Sequence, residues 1–185
     1  MYKLSDVSAL AVRAMLGNRN MTGKTSSANL KINAGGAATV ATNTALSFTI
    51  DGRMYYKAAL SAQSIAVTHN WRGETSSGYI QPVSTTVYYV ICLDASGNVK
   101  VVQGNYAGQK LSSDPTVGIG ASVAGATWVG EGGVPDLPSL DYAPIGILKV
   151  ATNGSTTFTA GTTLLDAAGV TVTYIDVSVL PATAP

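Results

Sequence analysis

Residues 46–57 read LSFTIDGRMYYK, and no other stretch constrains the fold of this chain as tightly. Leu46, Phe48 and Ile50 alternate with Ser47 and Thr49, the two-residue period of a strand with one buried face. Asp51-Gly52 then supplies the two positive-φ positions of a tight turn, and residues 53–57 return as the partner strand. Two more segments carry the same chemistry. Residues 87–93 run into a turn at 94–98 and return through 99–103, while 145–152 run into Asn153-Gly154 and are expected to return through 155–159. A last strand is expected over 170–180, with Val170, Val172 and Tyr174 on one face and Thr171, Thr173, Ile175, Val177 and Val179 on the other, until Pro181 stops it. Residues 65–68 and 79–81 are shorter candidates. About eight to ten strands joined by turn residues, with no helical pattern between them, predict an all-β fold: an antiparallel β-sandwich, jelly-roll-like.

The first residues follow a different period. Ser5 or Asp6 can cap a helix, Val7, Leu10, Ala11 and Ala14 recur at helical spacing, and Gly17 and Asn18 tolerate the left-handed conformation of a C-terminal cap. The helix predicted over 6–16 has about three turns, too few to be stable alone in water, so it must dock on something. Residues 18–36 are polar and read as an extended arm, in which the alternation of Leu30 and Ile32 allows a strand. The expected organisation is therefore an N-terminal helix and arm over 1–36 and a β-sandwich body over 37–185. The body holds a long Gly- and Pro-rich loop at about 104–143, expected to be an exposed insertion or a subunit contact.

Charge separates the same parts. Residues 1–60 hold seven basic groups (Lys3, Arg13, Arg19, Lys24, Lys31, Arg53, Lys57) against Asp6 and Asp51, giving +5; residues 61–185 hold four basic and eight acidic groups, giving −4, and the two sums recover the net +1. Only 11% of residues are charged, against a usual share of about 25%, while Ser and Thr number 38 of 185, so hydroxyls must solvate the surface. Near-neutral charge with 46% hydrophobic residues excludes a disordered chain and a strongly basic nucleic-acid binder. One cysteine, Cys92, excludes an intrachain disulfide framework, and with the single histidine, His69, it leaves zinc and haem without enough ligands, so no metal or cofactor is expected. The N-terminus lacks the pattern of a secretion signal, and no run reaches the roughly 18 apolar residues of a membrane span. The expectation is a chain made in a cytoplasm, with no membrane partner.

Motifs that resemble chemistry have plainer readings. Gly23-Lys24-Thr25 looks like the end of a phosphate loop, but the required earlier glycine is replaced by Asn18, and no helix is expected to follow. His69 is the sole candidate base and no serine sits in a G-x-S-x-G elbow, so a structural histidine is expected. Cys92, between Ile91 and Leu93, reads as a small hydrophobe. Glu131, Asp136 and Asp141 share the long loop and Glu74 follows Trp71, leaving a sugar-cleaving carboxylate pair conceivable but unassigned. Residues 94–98 hint at a calcium loop yet lack its glycine and bidentate glutamate, and read as a hairpin turn. Trp71 and Trp128 stand in polar or Gly-rich surroundings, where they serve packing, a protein surface or sugar stacking. No catalytic residue is assigned, and an enzyme is not expected.

The stretches TVYYVICLDASGNVKVVQG, VPDLPSLDYAPIGILKV and TTFTAGTTLLDAAGVTVTYIDVS, with NTALSFTIDGRMYYKAAL ahead of them, resemble the β-rich surface proteins of tailed-bacteriophage virions over roughly residues 42–178. The resemblance implies a capsid decoration, or cement, protein: a homotrimer on the outer head surface, with an N-terminal arm reaching across neighbouring capsomers. Its partners would be the major capsid protein and its own copies. Lys3, Arg13, Arg19, Lys24 and Lys31 are the residues expected to contact acidic capsid surface. The alternative is a head-fibre or tail-fibre module that recognises a host glycan through Trp71, Trp128 and the 104–143 loop.

Overall fold

A computed structural model describes residues 22–70, 74–106, 110–111, 127–128, 135 and 141–177. Its described part is all β, with no helix, and the helix expected over 6–16 lies outside it. The strands are β1 (Gly23–Lys24), β2 (Leu30–Ile32), β3 (Thr39–Thr42), β4 (Leu46–Ile50), β5 (Arg53–Lys57), β6 (Gln63–Ser64), β7 (His69–Asn70), β8 (Thr86–Leu93), β9 (Val99–Gln103), β10 (Lys110–Leu111), β11 (Thr127–Trp128), β12 (Ala143–Thr152) and β13 (Val170–Asp176). They form a five-stranded sheet in the order β13-β12-β8-β9-β7, two three-stranded sheets, β1-β4-β5 and β2-β3-β6, and the β10-β11 ladder. Every pairing is antiparallel except that of β7 with β9.

The first two hairpins form as their sequences dictate. Asp51 (φ 47°) and Gly52 (φ 71°) take the left-handed positions between β4 and β5, and Ile50 closes on Arg53. Between β8 and β9 the Asp94 carboxylate accepts the Ser96 and Asn98 N–H groups at 2.9 and 2.8 Å and the Asn98 side-chain amide at 3.0 Å. This self-satisfied turn leaves the carboxylate occupied by its own loop.

The third hairpin is corrected. β12 does not turn back through 155–159; its partners are β8 on one side and β13 on the other. The reason is the Asn153 side chain, whose Oδ1 accepts the N–H groups of Ser155 and Thr156 at 3.0 and 2.9 Å, diverting the chain from a ladder. Phe158 instead bridges to Gln81 and is fully buried. The shorter candidates are also reassigned: residues 65–68 are not a strand, and 79–81 contribute only that bridge.

Residues 22–36, read above as arm, are built into the body. β1 pairs with β4, β2 with β3, and Ala28 and Leu30 are buried in the main core. The alternation of Leu30 and Ile32 is the signal that foretold β2.

The five-stranded sheet is apolar on both faces. Val87, Tyr89, Ile91 and Leu93 of β8 look into the main core, shared with Leu30, Val40, Leu46, Phe48 and Ile50 of the small sheets; Tyr88, Val90 and Cys92 look the other way, with Val102 and Ile147. β12 serves both faces through a bulge between Pro144 and Gly146, which lets Ala143, Ile145, Leu148 and Val150 all reach the main core despite their mixed parity. Gly146 is where β2 crosses closely: a Cβ there would meet Leu30 Cδ2 at 2.8 Å.

Candidate functional site

The residues expected to grip a partner divide into four groups. Lys3, Arg13, Arg19 and Trp71 lie outside the described residues. Lys31 is exposed on β2, opposite Ala41 of β3. Lys24 is buried: its side chain is 3% exposed and its ammonium pairs with the Asp176 carboxylate at the end of β13. It therefore anchors the start of the described chain to the last strand and offers no free cation to a partner. Trp128 is placed on β11 opposite Lys110, so part of the 104–143 region forms a short ladder.

The anchor is satisfied beyond the ion pair. The Ser27 hydroxyl donates to Asp176 Oδ2 at 2.7 Å. Burial by itself would raise the Asp176 pKa; the Lys24 hydrogen bond, the Ser27 hydroxyl, the Lys24 charge and the Ala28 N–H outweigh it and hold the carboxyl below its ordinary value.

A second polar locus is a shallow groove beside β7, lined by Thr68, His69, Thr75, Ser76, Ser77, Lys100 and Tyr142 among others. The His69 ring packs on Tyr142, 5.5 Å between centroids and tilted by 55°, and its Nδ1 lies 3.0 Å from the Thr68 hydroxyl. Burial and then the Lys100 charge lower its pKa, which favours the neutral ring. Lys100 stands 3.7 Å from Asp94. Glu74, weighed above as a carboxylate, is held by the Asn70 side-chain amide at 2.8 Å. The groove thus offers hydroxyls, an ammonium and an aromatic face, the composition that binds a polar ligand; the Thr68 hydroxyl beside His69 is also engaged by the Val101 backbone, accepting its N–H at 2.9 Å and lying 3.1 Å from its carbonyl.

Sequence reasoning missed a buried polar relay. Gln81 donates to the carbonyls of Val150 and Thr85 at 2.9 and 3.1 Å and accepts the Tyr89 hydroxyl at 3.2 Å; that hydroxyl accepts from the Gln103 amide at 3.2 Å, and Gln103 Oε1 accepts the Tyr79 N–H at 2.8 Å. Gln81 and Gln103 are 0% and 1% exposed, and burial raises the pKa of both tyrosines. The relay straps segment 79–82 across the sheet, with these amide and hydroxyl groups bonded to one another and to the backbone. Cys92 is fully buried, and burial alone pushes its thiol pKa well above the ordinary range, so it is unreactive while the sheet is closed. Among the described residues no group of three or more His, Cys, Asp or Glu is placed to hold a metal ion.

No protein-family model, curated protein or solved structure matches this chain.

Proposed function

We propose that this chain is a structural protein of a tailed-bacteriophage virion. In this reading it is a homotrimeric decoration or cement protein whose jelly-roll-like sandwich body stands on the outer head surface and braces the shell. The carrying observation is the Lys24–Asp176 anchor: it fixes the root of the leading segment to β13, and the cations Lys3, Arg13 and Arg19 stand among the 23 residues ahead of Lys24. A basic leading segment rooted in a near-neutral body is what a clamp on an assembled acidic surface requires. Several such tails on one oligomer add through effective concentration. Binding that only the assembled shell can collect stabilises that shell by mass action.

The test is a deletion of residues 1–21. A cut at 36 would also remove Leu30 from the main core, at about 2–5 kcal/mol for that side chain against a usual total stability of 5–15, and so confound binding with folding. The shortened protein is expected to remain a folded oligomer that no longer cosediments with purified heads. If it still saturates them, the clamp reading is wrong.

A second reading, a head-fibre or tail-fibre module for a host glycan, is favoured by the hydroxyl-rich groove around His69, Lys100 and Tyr142. It predicts adsorption to host cells that Tyr142→Ala abolishes, with head binding unaffected.

A further inference from the structure

Strand β5 is an edge. It pairs with β4 on one side, and among the described residues no strand pairs with its other side. The register explains what that edge presents. Ile50 and Arg53 close a two-residue turn and form a hydrogen-bonded pair, so bonding alternates outward to Phe48 with Tyr55 and Leu46 with Lys57. The N–H and C=O groups of Met54 and Tyr56 consequently point away from β4, toward the open side. The side chains of the same two residues are the most exposed large hydrophobics described, at 72% and 74%, and they share one face of the strand. Tyr55, of opposite parity, turns inward and stacks on Phe48 with centroids 5.4 Å apart. Arg53 and Lys57 stand at the two ends; the strand holds no carboxylate, and Asp51 lies in the turn ahead of it.

An open edge with two exposed apolar side chains is an association site unless something guards it. Here the guard is selective. Antiparallel pairing with β5 of a second copy, matching Met54 to Tyr56, would set Arg53 opposite Lys57 at both ends, and like charges directly opposed are destabilising. The same two cations attract a strand with carboxylates at those positions. We propose that β5 receives an extended acidic segment of a partner protein by strand addition. The partner's carboxylates would face Arg53 and Lys57, and its apolar or β-branched side chains would cover Met54 and Tyr56.

The probes are capped peptides with the cores Glu-Val-Thr-Val-Glu and Lys-Val-Thr-Val-Lys, titrated into the full chain at low salt and followed by amide NMR and hydrogen exchange. The acidic peptide is expected to bind about tenfold or more tightly than the basic one and to slow exchange of the Met54 and Tyr56 amides, leaving Arg53 and Tyr55 unchanged. Arg53→Glu with Lys57→Glu should reverse the preference. Met54→Pro, which removes one outward N–H without touching the β4 ladder, should abolish binding of the acidic peptide. The proposal is overturned if neither peptide binds, if both bind equally, or if binding leaves the Met54 and Tyr56 amides unprotected. It is likewise overturned if sedimentation shows concentration-dependent self-association that Met54→Pro removes, which would assign the edge to a second copy.

Discussion

Replacing Asp176 by Asn should destabilise the body more than replacing its partner Lys24 by Met, although both changes break the same ion pair. The asymmetry comes from burial: the Lys24 side chain is 3% exposed and that of Asp176 is 32%. Asp176→Asn strands an ammonium away from water. Orphaning a fully buried charge costs about 3–5 kcal/mol, and the partial opening on the Asp176 side reduces this to about 2–3. Lys24→Met leaves a carboxylate that keeps the Ser27 hydroxyl and has solvent on one side, while the methionine fills the volume, so the cost is about 0–1 kcal/mol. Urea unfolding at pH 7 reads the difference: with a slope of about 2 kcal/mol/M, the Asp176→Asn midpoint should fall by about 1 M and that of Lys24→Met by less than half as much. The double variant, which removes the orphan charge, should be more stable than Asp176→Asn alone. If Lys24→Met costs as much as Asp176→Asn, the buried-anchor reasoning is refuted.

Acid should weaken the same contact. Asp176 and Asp94 both have folded pKa values held below the ordinary one, so their stabilisation is complete above the unfolded value of about 3.9 and is lost as pH falls through the folded values. Urea midpoints should therefore drop steeply below about pH 4, and less steeply in Asp176→Asn; parallel curves would contradict this. Gly146→Ala pushes a methyl against Leu30 and, at 3.1 Å, the Ile175 carbonyl, and should cost about 1–3 kcal/mol, whereas Gly35→Ala, whose nearest neighbour is 3.8 Å away, should cost nothing measurable by thermal unfolding. Cys92 should react with a thiol reagent only as the sheet opens, so native labelling as fast as labelling in urea would contradict its burial.

Much of the fold was legible because its signals are local. Asp51-Gly52 specifies a turn that its neighbours need only accept, and the alternation of Val170, Val172 and Tyr174 places one face of β13 against the main core, where all three pack. The third hairpin misled because Asn153-Gly154 carries the same dipeptide chemistry, yet the second partner of β12 begins 18 residues beyond its end, at Val170. Which of two nearby segments pairs with a strand depends on what the rest of the core leaves open, and that is not written in either segment. The polar relay of Gln81, Tyr89 and Gln103 was illegible for a related reason: amide side chains read as solvated until three distant segments bring their partners together. Lys24 likewise read as a free arm cation because its counter-charge, Asp176, lies 152 residues away.

The most direct measurement of the proposed role is cosedimentation of the full chain with purified tailed-phage heads, over a range of protein concentrations. The account predicts binding that saturates at a fixed number of oligomers per head, and heads that then survive heating or chelation better than bare ones. A protein that stays in the supernatant at every concentration, or that sediments without saturating and leaves the heads no more robust, would contradict it.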